Sequence, residues 1–164
     1  MESSLAVPIG VIVARTRIDV AWQNHAWRPI SVLLGGLNLQ AGSLVRVDGE
    51  TAYFFAGDAI LELHAADIAS YRDNIEQHTP RVYVVLNPQD EVAGPPSPQA
   101  HLVTIAPDEA ESYLEGDDFL MDSVAMPVEL LKLVCAFIRA HQPEPPRATD
   151  HSQSTISLSQ GRLP

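Results

Sequence analysis

The apolar positions divide the chain into short runs whose spacing assigns most of its elements. Over residues 5–15 Val and Ile recur with poor alternation, the pattern of a strand covered on both faces, with Pro8 and Gly10 near its start. Residues 16–21 read as a connection, and residues 27–34 as a second strand closed by Gly35-Gly36. Asp48-Gly49 is a hairpin signal, because a two-residue primed turn needs positive φ that Asp and Gly adopt at little cost. It joins strands predicted over 43–47 and 51–56. Gly57-Asp58 reads as a turn into a further strand, 59–64, with Leu61 and Leu63 on one face and Ile60, Glu62 and His64 on the other.

Helical spacing appears three times. Asp67 is an N-cap candidate ahead of Ile68, Tyr71 and Ile75, so residues 67–77 form an amphipathic helix that Pro80 stops. Residues 81–86 and 101–105 are strands, separated by a proline-rich segment, 89–99, with no apolar period. Pro107, followed by Asp108 and Glu109, opens a second helix. Pro127 precedes the strongest one, 128–141, where Leu130, Leu131, Val134, Phe137 and Ile138 share a broad face. The expected fold is α+β: a mostly antiparallel sheet of about six strands with two or three helices packed on it. Residues 1–142 are expected to form a single domain. Residues 143–164 are a polar tail too poor in apolar groups to offset its ordering entropy, and are expected to be disordered.

Composition narrows the function. A chain of 164 residues with 46% hydrophobic content can bury a core. A net charge of −11 repels polyanions, which excludes nucleic acid and anionic membrane surfaces as expected partners. No apolar run reaches the length of a membrane helix, and Met1-Glu2-Ser3-Ser4 lacks the charge of a signal peptide, so a cytoplasmic location is expected. A single cysteine, Cys135, allows neither an internal disulfide nor a thiolate zinc cluster, and its place beside the last helix's apolar face suits packing.

The densest group of directional side chains is 22–29, which holds both tryptophans. Trp22, His25, Trp27 and Arg28 form a candidate partner-binding patch, since Trp and Arg dominate binding hot spots; core anchoring of the indoles is the competing reading. Between Arg81 and Lys132 stand ten acids and no Lys or Arg. Of these Asp108, Glu111, Asp117 and Asp118 are candidates for steering a basic partner, against the alternative of a solvated face. The six histidines show no metal-ligand spacing, and no phosphate-binding or nucleophile motif is present. The reading assigns no catalytic residue, metal or cofactor.

One combination of segments carries a resemblance. Gly10-Val11-Ile12-Val13, the Trp22-to-Pro29 stretch, Tyr53-Phe54-Phe55-Ala56-Gly57 with Leu61-Glu62-Leu63-His64, Tyr71-Arg72-Asp73-Asn74-Ile75, Val82-to-Leu86 and His101-Leu102-Val103-Thr104 follow in order. Together they resemble an uncharacterised family of small proteobacterial proteins over residues 8–141, with one aromatic more at 53–55 than the simplest pattern. Members are encoded beside molybdenum-dependent formate dehydrogenases, a chaperone of the kind that serves molybdoenzymes, and an iron–sulfur protein. The resemblance implies a context and no catalytic residue. The expectation is a non-enzymatic accessory or protein-interaction factor in formate dehydrogenase assembly or function, whose partner is a subunit of that enzyme or its maturation chaperone. The alternative is a small-molecule or metal-binding domain using His25, His64 or His101 at the edge of the sheet.

Overall fold

In a computed structural model, residues 3–20, 23–89, 97–116 and 118–141 are described. They form seven strands and three α-helices: β1 Ser4–Val20, β2 Gln23–Leu34, β3 Leu44–Asp48, β4 Thr51–His64, α1 Ile68–Ile75, β5 Arg81–Asn87, β6 Gln99–Thr104, α2 Pro107–Glu111, β7 Leu120–Ala125 and α3 Val128–His141. The α+β class and antiparallel pairing hold. The strands divide between a four-stranded sheet, ordered β2-β1-β4-β3, and a three-stranded sheet, ordered β6-β5-β7. The segments expected to be disordered after residue 142 and most of the proline-rich segment lie outside the described residues.

Three elements differ from expectation, each for a local reason. Residues 16–20 are not a connection: β1 runs on to Val20 and pairs with β2 through Arg17↔His25 and Val20↔Gln23, while Ala21 lies outside the described residues. Arg, Thr and Asp interrupt the apolar sequence there, so the hydrophobic signal fades while the ladder continues. Gly57-Asp58 is not a turn. β4 is one strand across it, with Val11 opposite Gly57 and Ile12 opposite Phe55, which leaves Ala56 as the extra residue of a bulge. The glycine adopts φ +107°, open to a residue without Cβ and costly for others. At Asp48-Gly49 the turn sits one residue later than the signal placed it, Asp48 pairing with Thr51 and Gly49 taking φ +66°.

The bulge lets one long strand feed one core. Ala52, Phe54 and Ala56 point inward before it, Leu61 and Leu63 after it, all buried. They meet Val7, Ile9, Val11 and Val13 of β1, Val82, Val84 and Leu86 of β5, Tyr71 of α1, and Leu130, Val134, Phe137 and Ile138 of α3. The sheets meet where β4 approaches β6 and β2 approaches β7. β3 lies at the opposite edge of the larger sheet, and all five of its residues are exposed.

A second apolar layer lies on the outer face of the larger sheet. Ile12, Ala14 and Phe55 are buried there, outside the main core cluster. The connection from β2 to β3 covers part of this face. It is held by Gly35 N–H donating to the Pro8 carbonyl at 2.8 Å and Gly42 N–H to the Phe55 carbonyl at 2.7 Å. Gly10 lies under Leu37 of this connection: a Cβ at Gly10 would stand 3.3 Å from the Phe55 ring and 3.6 Å from Leu37 Cγ.

Candidate functional site

The outer face carries an apolar hollow of about 510 Å³, lined by Ile12, Ile30, Leu33, Leu37, Leu39, Val45, Arg46 and Tyr53 among others. Paired residues of an antiparallel ladder share a face, so the registers locate its parts. Ile12 stands between Ser31 and Phe55, while Ala14 stands between Arg28 and Tyr53, whose other neighbour is Arg46. A row Arg28, Ala14, Tyr53, Arg46 therefore crosses all four strands at one end of the hollow. Arg46 Cζ lies 4.8 Å from the Tyr53 ring centre, a cation–π contact that holds the guanidinium over the aromatic face. Among the described residues neither arginine has a carboxylate within ion-pair distance. The rim is apolar and wet: Leu33 is 39%, Val45 47% and Leu39 48% exposed.

The aromatic candidates separate. Trp22 lies outside the described residues. Trp27, opposite Arg15, is half-buried on the inner side, its ring 5.4 Å from that of Phe54, with Arg15 Cζ 5.1 Å from the Phe54 centre and 5.9 Å from the indole. The core-anchor reading thus describes the position of Trp27. His25, exposed, pairs with Arg17 on that same inner side, whereas Arg28 is exposed on the outer face. Strand β2 consequently sends His25 and Trp27 one way and Arg28 the other.

A smaller polar hollow of about 370 Å³ collects His64, Asp67, Ser70, Ala106, Asp108 and Glu109. His64 Nε2 lies 3.1 Å from Glu62 Oε1. Beneath it Tyr71, 2% exposed, accepts the His64 backbone N–H on its hydroxyl at 2.8 Å. Burial pushes the Tyr71 phenol above its ordinary value; the His64 hydrogen bond opposes this and the carboxylates of Asp67, Glu109 and Glu62 add to it. Asp108 thus joins this hollow. Glu111 at the end of α2 and Asp118 before β7 are exposed, and Asp117 lies outside the described residues.

The histidines proposed for a ligand site do not converge. His101 packs its ring 4.5 Å from Phe119 and 5.6 Å from Tyr113, while His64 sits at the end of β4. Among the described residues no group of three or more His, Cys, Asp or Glu is placed to hold a metal ion. Nor is any described helix long and apolar enough to cross a membrane. Cys135 is half-buried on α3.

Reading residues alone missed the hollow. Its signals were the unbroken Leu44-Val45-Arg46-Val47 run in a hairpin arm, which lacks the alternation of a half-covered strand, and the paired Leu37 and Leu39 in a glycine-flanked connection. The family model described as a protein of unknown function, DUF3305, matches residues 8–149. No curated protein and no solved structure matches the chain.

Proposed function

Given that the chain belongs to the DUF3305 family of proteins of unknown function, we propose that it is a non-enzymatic protein-interaction factor serving the assembly or function of a molybdenum-dependent formate dehydrogenase. The observation that carries the interaction role is the outer face of the larger sheet. Leu33, Leu39 and Val45 stand in water around a preformed apolar hollow, beside arginines that lack carboxylate partners among the described residues. Exposed apolar groups gathered around a concavity and rimmed by charge mark sites where burial against a partner gains free energy. The formate dehydrogenase context comes from the sequence resemblance. It makes an enzyme subunit or its maturation chaperone the partner to test.

In this reading the outer face supplies affinity and the acids Asp108, Glu111, Asp117 and Asp118 act on the rate of encounter. His25, Trp27 and Arg28 lie on β2 within reach of either face and contribute at the margin. The test uses the full chain and a purified formate dehydrogenase catalytic subunit, with the chaperone as a second arm, in titration calorimetry at low salt. Binding is expected with one arm, weakened about tenfold by Leu39→Asp, which puts a charge where an apolar contact would be buried. Charge reversal at Asp117 and Asp118 should slow association and leave dissociation unchanged. Absence of binding to both arms overturns the proposal.

A further inference from the structure

The two edges of the larger sheet are not equivalent. β2 is approached by β7, but among the described residues β3 has no neighbouring strand on its far side, and Leu44, Val45 and Val47 are 56%, 47% and 60% exposed. Open strand edges in soluble proteins are normally blunted, because unpaired N–H and C=O groups recruit other chains. Here the device is limited to Arg46 and the irregularity between Leu44 and Arg46. Between Arg46 and Asp48 the strand is regular, with no proline or lysine.

Ladder geometry fixes which backbone groups look outward. Asp48 and Thr51 pair directly across the two-residue turn, so their N–H and C=O groups face each other, and the alternation of antiparallel bonding turns those of Val47 toward the open edge. Side chains fix the register. Arg46 pairs with Tyr53 and Asp48 with Thr51, both on the outer face, and Val47 lies between them on the inner one. We infer that β3 pairs antiparallel with β3 of a second copy about a two-fold axis through Val47, joining two four-stranded sheets edge to edge. In that register each Val47 exchanges both backbone hydrogen bonds with its counterpart. Each Arg46 stands opposite the other chain's Asp48, twice in the dimer.

Neighbouring two-fold registers set Arg46 against Arg46 or Asp48 against Asp48, so charge selects this one. Elsewhere two chains of net charge −11 repel each other, and the balanced Arg46–Asp48 edge is where they can meet. The ladder is short, so the dimer is weak. Both apolar hollows open on the same side of the joined sheet, since an axis perpendicular to it preserves the outer face. This inference does not depend on the identity of any other partner.

The test is the oligomeric state of the full chain, by sedimentation equilibrium and light scattering. Self-association on the order of 10–100 μM is expected for an interface at the small end of the range. Arg46→Asp and Asp48→Arg should each weaken it about tenfold by turning two attractive pairs into two repulsive ones, and the double variant R46D/D48R should return to within about threefold of the original. Val47→Pro, which removes the outward N–H, should leave a folded monomer by circular dichroism. A chain that stays monomeric at about ten times the upper figure, a dimer indifferent to Arg46→Asp, or a double variant no better than the singles would each overturn the inference. If the edge instead accepts a different polypeptide, the first of these outcomes is the one observed.

Discussion

Asn74 holds both backbone groups of Arg81: its Oδ1 accepts the Arg81 N–H at 2.9 Å and its Nδ2 donates to the Arg81 carbonyl at 2.8 Å. Nδ2 also donates to the Ile105 carbonyl at 2.8 Å. This fully buried amide therefore ties the end of α1 to the first residue of β5 and to the chain just beyond β6. Replacing it with Ala takes the partner from one N–H and two carbonyls, of which that of Ile105 is bonded in the interior and those of Arg81 in part-buried surroundings. Asn74→Ala is expected to cost about 3 kcal/mol in urea unfolding. Asn74→Asp should cost at least as much at neutral pH, since a carboxylate accepts from Arg81 but donates to neither carbonyl.

Tyr71 makes stability depend on pH at the alkaline end. Its folded-state value is raised above the ordinary 10.0, first by burial. The unfolded chain therefore loses this proton before the folded one does. The contribution is complete below about pH 10 and lost as pH rises through the higher folded value. Melting temperature should fall above about pH 10 more steeply in the native chain than in Tyr71→Phe, after correction for the other tyrosines. At neutral pH Tyr71→Phe should cost about 1 kcal/mol, because the His64 N–H loses its acceptor.

Gly57 separates conformational cost from steric cost. A Cβ there would meet Ala41 Cβ at 3.5 Å, ordinary contact, but the residue sits at φ +107°. Gly57→Ala is expected to destabilise by about 1–2 kcal/mol through backbone strain alone. At Gly10, where φ imposes no such penalty, Gly10→Ala forces the Phe55 ring to shift. It should change near-ultraviolet circular dichroism more than it changes stability.

Leu39→Asp should leave the urea midpoint within about 0.5 kcal/mol of the original, as substitutions at exposed positions do. Fluorescence of an apolar dye added to the folded protein should fall with it. A drop in stability of several kcal/mol would mean that Leu39 belongs to the fold and not to a surface offered to others.

What could be read from the residues follows from how each face is covered. α3 is found over 128–141, as its spacing indicated, because one face packs on the core and the other meets water. Leu61 and Leu63 are inward and Ile60, Glu62 and His64 outward for the same reason. β7 was illegible: in Leu120-Met121-Asp122-Ser123-Val124-Ala125 only Val124 is buried, and pairing with β5 supplies the rest of its stability. α2 ends after five residues, too short for a periodic signal. The outer hollow was illegible because it assembles from four strands and a connection, and no single segment records that a sheet has two apolar faces. The group at 22–29 looked like one patch in sequence, yet alternation along β2 sends Arg28 to the face opposite His25 and Trp27.

The bulge at Ala56 has a consequence for how this chain tolerates length changes. Upstream of it even-numbered residues of β4 face inward, and downstream odd-numbered ones do. Removing that one alanine would take out the bulge and leave one regular alternation, with Ile12 still opposite Phe55, Val11 opposite Gly57 and both Leu61 and Leu63 inward, whereas removing a residue beyond it, such as Ala59, would send Leu61 and Leu63 toward solvent or force the β1 ladder to slip. The least conspicuous side chain in the strand thus marks a place where the chain can lose a residue without turning the strand over.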